Sequence, residues 1–311
     1  MIPKGLASGD DCEFIRRALK NLRAEGGEVT IPEGSYTCSA PLVLDKNNVS
    51  LRGKGLVTLR LADHSNAPVI IMGDAQTPPR PVKNIKVSHL LIEGNKDNQD
   101  EECWGGPCDE GGTTFVRNNG ITVRAVTNGV ISDVYITEAR SGGVVTEHGV
   151  YNLKINHLTS TYNYFDGFAG YETYGAVLDH LNLAHNHAAG ISIDIDFSKN
   201  TIKDSVLSDN GDVGIFMRDS NSNLFENVLI EKSGNHGVFV SAVNDETTCP
   251  KNNEFHDLKV ISSNGVGFRL NSGCPNNRLS GENRFVGNRD QCISEEVAGS
   301  LKVRGSVICR P

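Results

Sequence analysis

One unit is written six times between residues 118 and 243, and it limits the fold more than any other feature of the 311-residue chain. Its copies align on glycines: Gly120-Ile-Thr-Val, Gly143-Val-Val-Thr, Gly167-Phe-Ala-Gly, Gly190-Ile-Ser-Ile, Gly214-Ile-Phe-Met and Gly237-Val-Phe-Val. The steps between them are 23, 24, 23, 24 and 23 residues. Each glycine opens a short apolar run. About ten residues on, a turn asparagine (Asn128, Asn152, Asn200, Asn223) precedes a second run such as Leu153-Lys-Ile-Asn-His-Leu. A unit this short, β-branched and glycine-punctuated reads as a solenoid of strands and turns. Each coil buries its inward side chains only against its neighbours, so the array is stable only when stacked. The expected fold is all-β, a right-handed parallel β-helix.

A steady repeat also says which residues line up. Side chains alternate faces along a strand. Ile121, Val144, Phe168, Ile191, Ile215 and Val238, one residue after each glycine, are therefore expected to point inward, and positions two and four after it outward. The row at position four reads Arg124, Glu147, Tyr171, Asp194, Arg218, Ser241. With rungs roughly 4.8 Å apart, two arginines flank a Glu, a Tyr and an Asp on one face, and function is expected there.

The remaining chain fits one domain over 1–311. Residues 9–24 read as a helix capping the open end of the solenoid, with Asp10 or Asp11 as N-cap and Phe14, Ile15, Ala18, Leu19 and Leu22 on one stripe. Residues 118–243 are the most regular coils, and 274–311 read as terminal coils and a cap. Aromatic content of 6% with 33 glycines suits a thin core of Val, Ile and Leu. A net charge of −8 gives no support to nucleic-acid binding. No apolar run approaches the roughly 18 residues that span a membrane.

Eight cysteines, even in number and widely scattered, suggest disulfides and an oxidising compartment. The expected pairs are Cys12–Cys38, Cys103–Cys108, Cys249–Cys274 and Cys292–Cys309. No Cys-x-x-Cys spacing argues for zinc. The sequon Asn48-Val-Ser50 is compatible with secretion, and the start, Met1-Ile-Pro-Lys, reads as a chain from which a signal peptide has been removed. The expected location is extracellular.

The opening segment, a helix followed by Gly26-Gly-Glu-Val-Thr-Ile-Pro-Glu-Gly-Ser-Tyr36 and Leu51-Arg-Gly-Lys-Gly55, resembles that of the pectate-lyase-like β-helix superfamily, which includes pectate lyases, polygalacturonases and alginate C5-epimerases. Leu91-Ile-Glu-Gly-Asn-Lys-Asp-Asn98 is similar to a segment of the epimerases, and the likeness runs over roughly residues 9 to 240. It implies the β-helix fold and chemistry on a polysaccharide. The epimerases' Tyr-Gly-Phe-Asp-Pro-His motif aligns here with Gly142-Gly-Val-Val-Thr-Glu147, so the motif's Tyr, Asp and His become Gly142, Val145 and Glu147. Of the polygalacturonase motifs, the chain offers Asn163-Tyr-Phe-Asp166, Asp194-Ile-Asp196 and Asn235-His236-Gly237, with no Arg-Ile-Lys.

Candidate chemistry follows from the outward row. Removing the C5 proton of a uronate needs a base and neutralisation of the sugar carboxylate. Tyr171 between arginines is a candidate proton shuttle, because cations stabilise phenolate, and Arg124 and Arg218 can each grip a carboxylate bidentately. A lyase or epimerase acting on a uronate chain is the favoured expectation. The alternative is an inverting hydrolase. Asp194 and Asp196, two apart on a regular strand, are about 6.7 Å apart at the backbone, and Glu147 and Asp194 lie two rungs apart, roughly 9.6 Å. Both distances suit inversion, which wants roughly 6.5–9.5 Å between carboxyls. His187, in the turn entering the Asp194 strand, is a further acid or base candidate. Trp104, in the polar loop 96–118, is a candidate sugar platform. No ligand spacing demands a metal or cofactor, and Asp194 with Asp196 is the pair that would take calcium. A catalytically silent, glycan-binding adhesion β-helix is the third reading.

Overall fold

A computed structural model describes residues 9–100, 117–242 and 248–311. The chain winds as a right-handed parallel β-helix of about 11 turns. Among the described residues, three parallel sheets line it, of twelve, ten and six strands. The glycine-led runs form the ten-strand sheet, in which Ile70, Ile121, Val144, Phe168, Ile191, Ile215, Val238 and Phe268 pair in one unbroken column. The six inward positions expected from the repeat are all fully buried. Gly143 shows why this column is led by glycine: a Cβ there would sit 1.8 Å from the Ser160 hydroxyl.

The second run of each unit supplies the twelve-strand sheet, in strands such as Val130–Thr137, Lys154–Thr161 and Val177–Ala184. Their spacing is not simply alternate. Ile155 and Leu158 are three apart yet both buried, because His157 between them has φ 54°. Asp133, His180, Asp204 and Asn227 repeat that left-handed residue from rung to rung. Asn and Asp adopt it more readily than most residues.

The turn asparagines belong to two neighbouring columns, not to one. Asn128 and Asn152 are left-handed residues on the outside of the corner, with φ 58° and 55°. Asn200 and Asn223 lie one residue further on and are buried. Asn200, Asn223, Asn253 and Asn277 form a ladder in which each Nδ2 donates to the next Oδ1 at 3.0–3.1 Å, while each Oδ1 also accepts the preceding rung's backbone N–H. A second buried ladder joins Asn163, Asn186 and Asn210. Buried amides are tolerated here because donors and acceptors are matched.

The helix is shorter than expected, Glu13–Lys20, and its N-cap is Cys12, without a side-chain cap. Asp10 instead accepts the Cys12 N–H and pairs with Arg16. Ile15 and Leu19 enter the core, and Cys12–Cys38 bonds the helix to strand Gly27–Cys38. Cys249–Cys274 is the second disulfide. Cys103 and Cys108 lie outside the described residues. The expected Cys292–Cys309 bond is absent: both are free thiols, Cys309 exposed. Burial, then the neighbouring Cys309, pushes the Cys292 thiol up to about 11. The C-terminal strand Leu301–Arg310 closes the twelve-strand sheet against Asn277–Val286. Among the described residues, no helix is long and apolar enough to cross a membrane.

Candidate functional site

The outer face of the ten-strand sheet is built from three rows. The floor row, two residues after each glycine, reads Thr122, Val145, Ala169, Ser192, Phe216, Phe239, Arg269. Ala169 and Ser192 keep the floor low in the middle. Phe216 and Phe239, 5.6 Å apart between ring centroids, raise it further along. One wall is the residue before each glycine: Gly142, Asp166, Ala189, Val213, His236. The other wall is the row Arg124, Glu147, Tyr171, Asp194, Arg218.

Asp166, Tyr171 and Arg117 face one another across the low part of this floor. Asp166 accepts the Ala189 N–H at 2.9 Å. Burial nevertheless pushes its carboxyl up to about 7, with the negative charge of Asp212 adding to the effect and Arg117 opposing it. Burial, then the Asp166 charge, pushes the Tyr171 phenol up to about 12, against a hydrogen bond from Arg117. The Arg117 guanidinium stands 6.0 Å from the Tyr171 ring centroid. A carboxyl poised near neutrality, a phenol held as a donor and a guanidinium make a set able to take and give a proton beside an anion. Tyr171 thus stays protonated at neutral pH and has a proton to give.

The wall row is more buried than the repeat suggested. Asp194 is 6% and Arg124 2% exposed. Arg218 reaches Asp194 at 2.5 Å, and its guanidinium lies 5.1 Å from the Phe216 ring centroid. Arg124 turns away from the groove: it pairs with Glu147 at 2.7 Å and donates to the Ala75 carbonyl and the Thr77 hydroxyl. Its fork is consumed in pinning the segment 74–80, which removes Arg124 as a substrate ligand and leaves Glu147 as its counterion.

Asp196 does not join Asp194. The strand stops at Ile193, and Ile195 and Asp196 have φ 43° and 60°, so the chain turns a corner between the two acids. Asp196 accepts from the Tyr174 phenol at 2.6 Å and from Ser198 at 2.8 Å. The two acids therefore flank a corner and do not alternate along one regular strand. His187 is exposed on the turn and stacks on Tyr164 at 5.4 Å, and the Arg140 guanidinium lies 4.4 Å from the centroid of the same Tyr164 ring. His187 thus borders the groove at its rim. Trp104 lies outside the described residues.

Asp166 and Arg117 are the members that the repeat reading missed. Asp166 precedes its glycine, and the sequence offers it only as the end of Asn163-Tyr-Phe-Asp166. Arg117 comes from the stretch between repeats. Elsewhere, Asp179, His180 and Asp204 bring three donor atoms within 4.8 Å of one another on the twelve-strand sheet. Lys203 lies between the two acids there, at 3.4 and 3.7 Å, supplying the cation itself.

Comparison with known proteins bears on the fold. The chain is similar to the A-module of mannuronan C-5 epimerase AlgE6 from Azotobacter vinelandii, with TM-score 0.60 and 17% identity over 98% of this chain and 97% of that one. It is similar to the endo-xylogalacturonan hydrolase of Aspergillus tubingensis, with TM-score 0.56 and 15% identity over 98% and 94%. It is also similar to PfbA, a surface adhesin of Streptococcus pneumoniae, with TM-score 0.51 and 11% identity over 99% and 91%. No curated protein matches the sequence. A family model described as the right handed beta helix region matches residues 149–308, just over half of the chain. The chain belongs to that right-handed β-helix family.

Proposed function

We propose that the protein is a secreted enzyme that modifies a uronate-containing polysaccharide by removing the proton beside the sugar carboxylate, with Asp166 as base. The observation that carries this reading is the grouping of Asp166, Tyr171 and Arg117 over the low floor at Ala169. Asp166 as carboxylate takes the C5 proton, and its elevated basicity strengthens it for that task. Arg117 offsets the charge that develops on the uronate carboxylate. Tyr171 returns a proton, either to the departing glycosidic oxygen, which gives elimination, or to the carbon from the opposite side, which gives epimerisation. Arg117, already hydrogen-bonded to the phenol, then stabilises the phenolate left behind. The epimerase and hydrolase among the structural neighbours act on polysaccharides in the same fold, and two disulfides suit an oxidising compartment.

A hydrolytic reading also has one observation in its favour. Asp166, held partly protonated near neutrality, and Asp194, held by Arg218, are two acids in different electrostatic surroundings. Incubation with a panel of uronate polymers separates the readings. Absorbance of an unsaturated uronate means elimination. A changed epimer ratio by NMR without chain cleavage means epimerisation. New reducing ends without unsaturation mean hydrolysis and reject Asp166 as a C5 base. Binding without any product rejects catalysis and favours an adhesion role.

A further inference from the structure

His157 and His180 stand on adjacent rungs of the twelve-strand sheet, a different sheet from the one that bears the groove. The register pairs on either side of them are Asn156 with Asp179 and Leu158 with Leu181. Both histidines occupy the left-handed bend of their strand, so both side chains leave the sheet at the same place, about 4.8 Å apart at the backbone. Their rings lie 4.9 Å apart between centroids, tilted by 31°. Both side chains are exposed.

Each ring has a carboxylate on its Nδ1 side. Asp179 Oδ1 lies 2.6 Å from His180 Nδ1, and its other oxygen lies 3.4 Å from Lys203 Nζ. A carboxylate only accepts, so Nδ1 carries the hydrogen and Nε2 of the neutral ring keeps its lone pair. Asp133 Oδ1 lies 4.0 Å from His157 Nδ1, and the second oxygen of Asp133 lies 3.8 Å from His89 Nε2. A carboxylate behind a histidine fixes the ring and makes its outer nitrogen a better metal ligand.

The surroundings say which ion. Lys203 neutralises Asp179 and reaches Asp204 at 3.7 Å, while Asn227 donates to Asp204 at 2.8 Å. The acids are thus engaged and do not form the oxygen cage that calcium or magnesium takes. Imidazole nitrogens suit zinc, nickel and copper. Two nitrogens each about 2.1 Å from one ion in tetrahedral geometry are about 3.4 Å apart, and small rotations of the two exposed rings reach that separation. We infer that His157 and His180 form a two-imidazole site for a borderline divalent metal ion such as Zn²⁺, with Asp179 orienting His180 and water completing the coordination. An ion held there ties strand Lys154–Thr161 to strand Val177–Ala184.

The test is calorimetric titration with Zn²⁺ and, separately, Ca²⁺. It uses the full chain carrying Cys292→Ser and Cys309→Ser, because thiolates also bind zinc. One equivalent of Zn²⁺ is expected to bind, and Ca²⁺ is not. His157→Gln, His180→Gln and Asp179→Asn should each weaken Zn²⁺ binding by about tenfold or more, while His185→Gln, in another exposed column, should not. Zn²⁺ should raise the melting temperature of the parent chain and not that of His180→Gln, and the same melts without metal check that the variants are folded. The imidazole nitrogen signals of His157 and His180 should move together on adding Zn²⁺. Unchanged affinity in either histidine variant, equal weakening in His185→Gln, equal binding of Ca²⁺, or no Zn²⁺ binding overturns the site. Unchanged affinity in Asp179→Asn overturns the orienting role of that carboxylate.

Discussion

Arg218 and Asp194 meet at 2.5 Å across one rung of the ten-strand sheet, the acid almost wholly covered and the guanidinium 39% exposed at its side chain. Truncating Arg218 to Ala leaves a covered carboxylate without its partner. We expect a loss of about 1–3 kcal/mol of stability in urea unfolding, with part of it recovered in the double variant Arg218→Ala, Asp194→Asn. A cost equal for the single and double variants would show that the pair is not coupled.

Asp166 ties stability to pH. Its folded-state pKa, raised to about 7, exceeds that of an unfolded aspartate, near 3.9. The folded chain therefore holds the proton over the interval between the two values, and this contribution is full below pH 4 and lost as pH rises through 7. Asp166→Asn should raise the melting temperature relative to the native chain at pH 8 and give little relative gain at pH 4. A difference independent of pH argues that Asp166 does not titrate in this window.

Catalysis should follow the same group in the opposite sense. If Asp166 acts as a base, kcat/KM rises with pH through about 7. Asp166→Asn should lower the rate by about 10²–10⁴-fold and abolish that limb. Tyr171→Phe should also be severe, leaving the limb in place. A rate that falls above pH 7 in the native enzyme identifies Asp166 as the acid of a hydrolase.

The two asparagine columns differ in what they hold. Asn223→Ala takes the shared acceptor from the Asn200 backbone and side-chain N–H groups and the donor from the Phe197 carbonyl, at a cost of about 3 kcal/mol. Asn152→Gly keeps the left-handed turn and should change stability by less than about 0.5 kcal/mol. Chemical denaturation of both variants compares them directly.

Thiol labelling of the native protein without reductant should modify Cys309 quickly at neutral pH. Cys292, half-buried and pushed up to about 11, should react slowly, because the thiolate is the nucleophile. Mass spectrometry of peptides reads both sites. Equal and rapid labelling would contradict the packing at Cys292.

The repeat was readable because every coil meets the same steric demand. Gly143 cannot bear a Cβ, and the next residue must be apolar, so the inward column from Ile121 to Val238 stands in the sequence without ambiguity. The outward side was less legible. Arg124 looks like a solvent-facing cation until the segment 74–80, some fifty residues earlier, folds over it. Asp194 and Asp196 alternate correctly on paper, and the left-handed backbone at Ile195 and Asp196 breaks that alternation. Asn152 and Asn200 look alike as letters although one residue of register puts the first in solvent and the second in a ladder. Asp166 stands before its glycine and shows in the sequence only as the end of Asn163-Tyr-Phe-Asp166, while its neighbour Arg117 lies on a coil that breaks the period.

The corner occupied by the left-handed asparagines is always two residues long, from Asn84-Ile85 to Asn252-Asn253. Extra chain is inserted instead at other corners, as at 74–81, where it packs on Arg124 of the wall row. Lengthening those corners leaves the pairing columns untouched, whereas one added residue at the asparagine corner would throw the next rung out of register. The molecule thus separates what can drift from what cannot: the borders of the groove are open to remodelling, by natural divergence or by loop grafting, while the spine behind them stays constant.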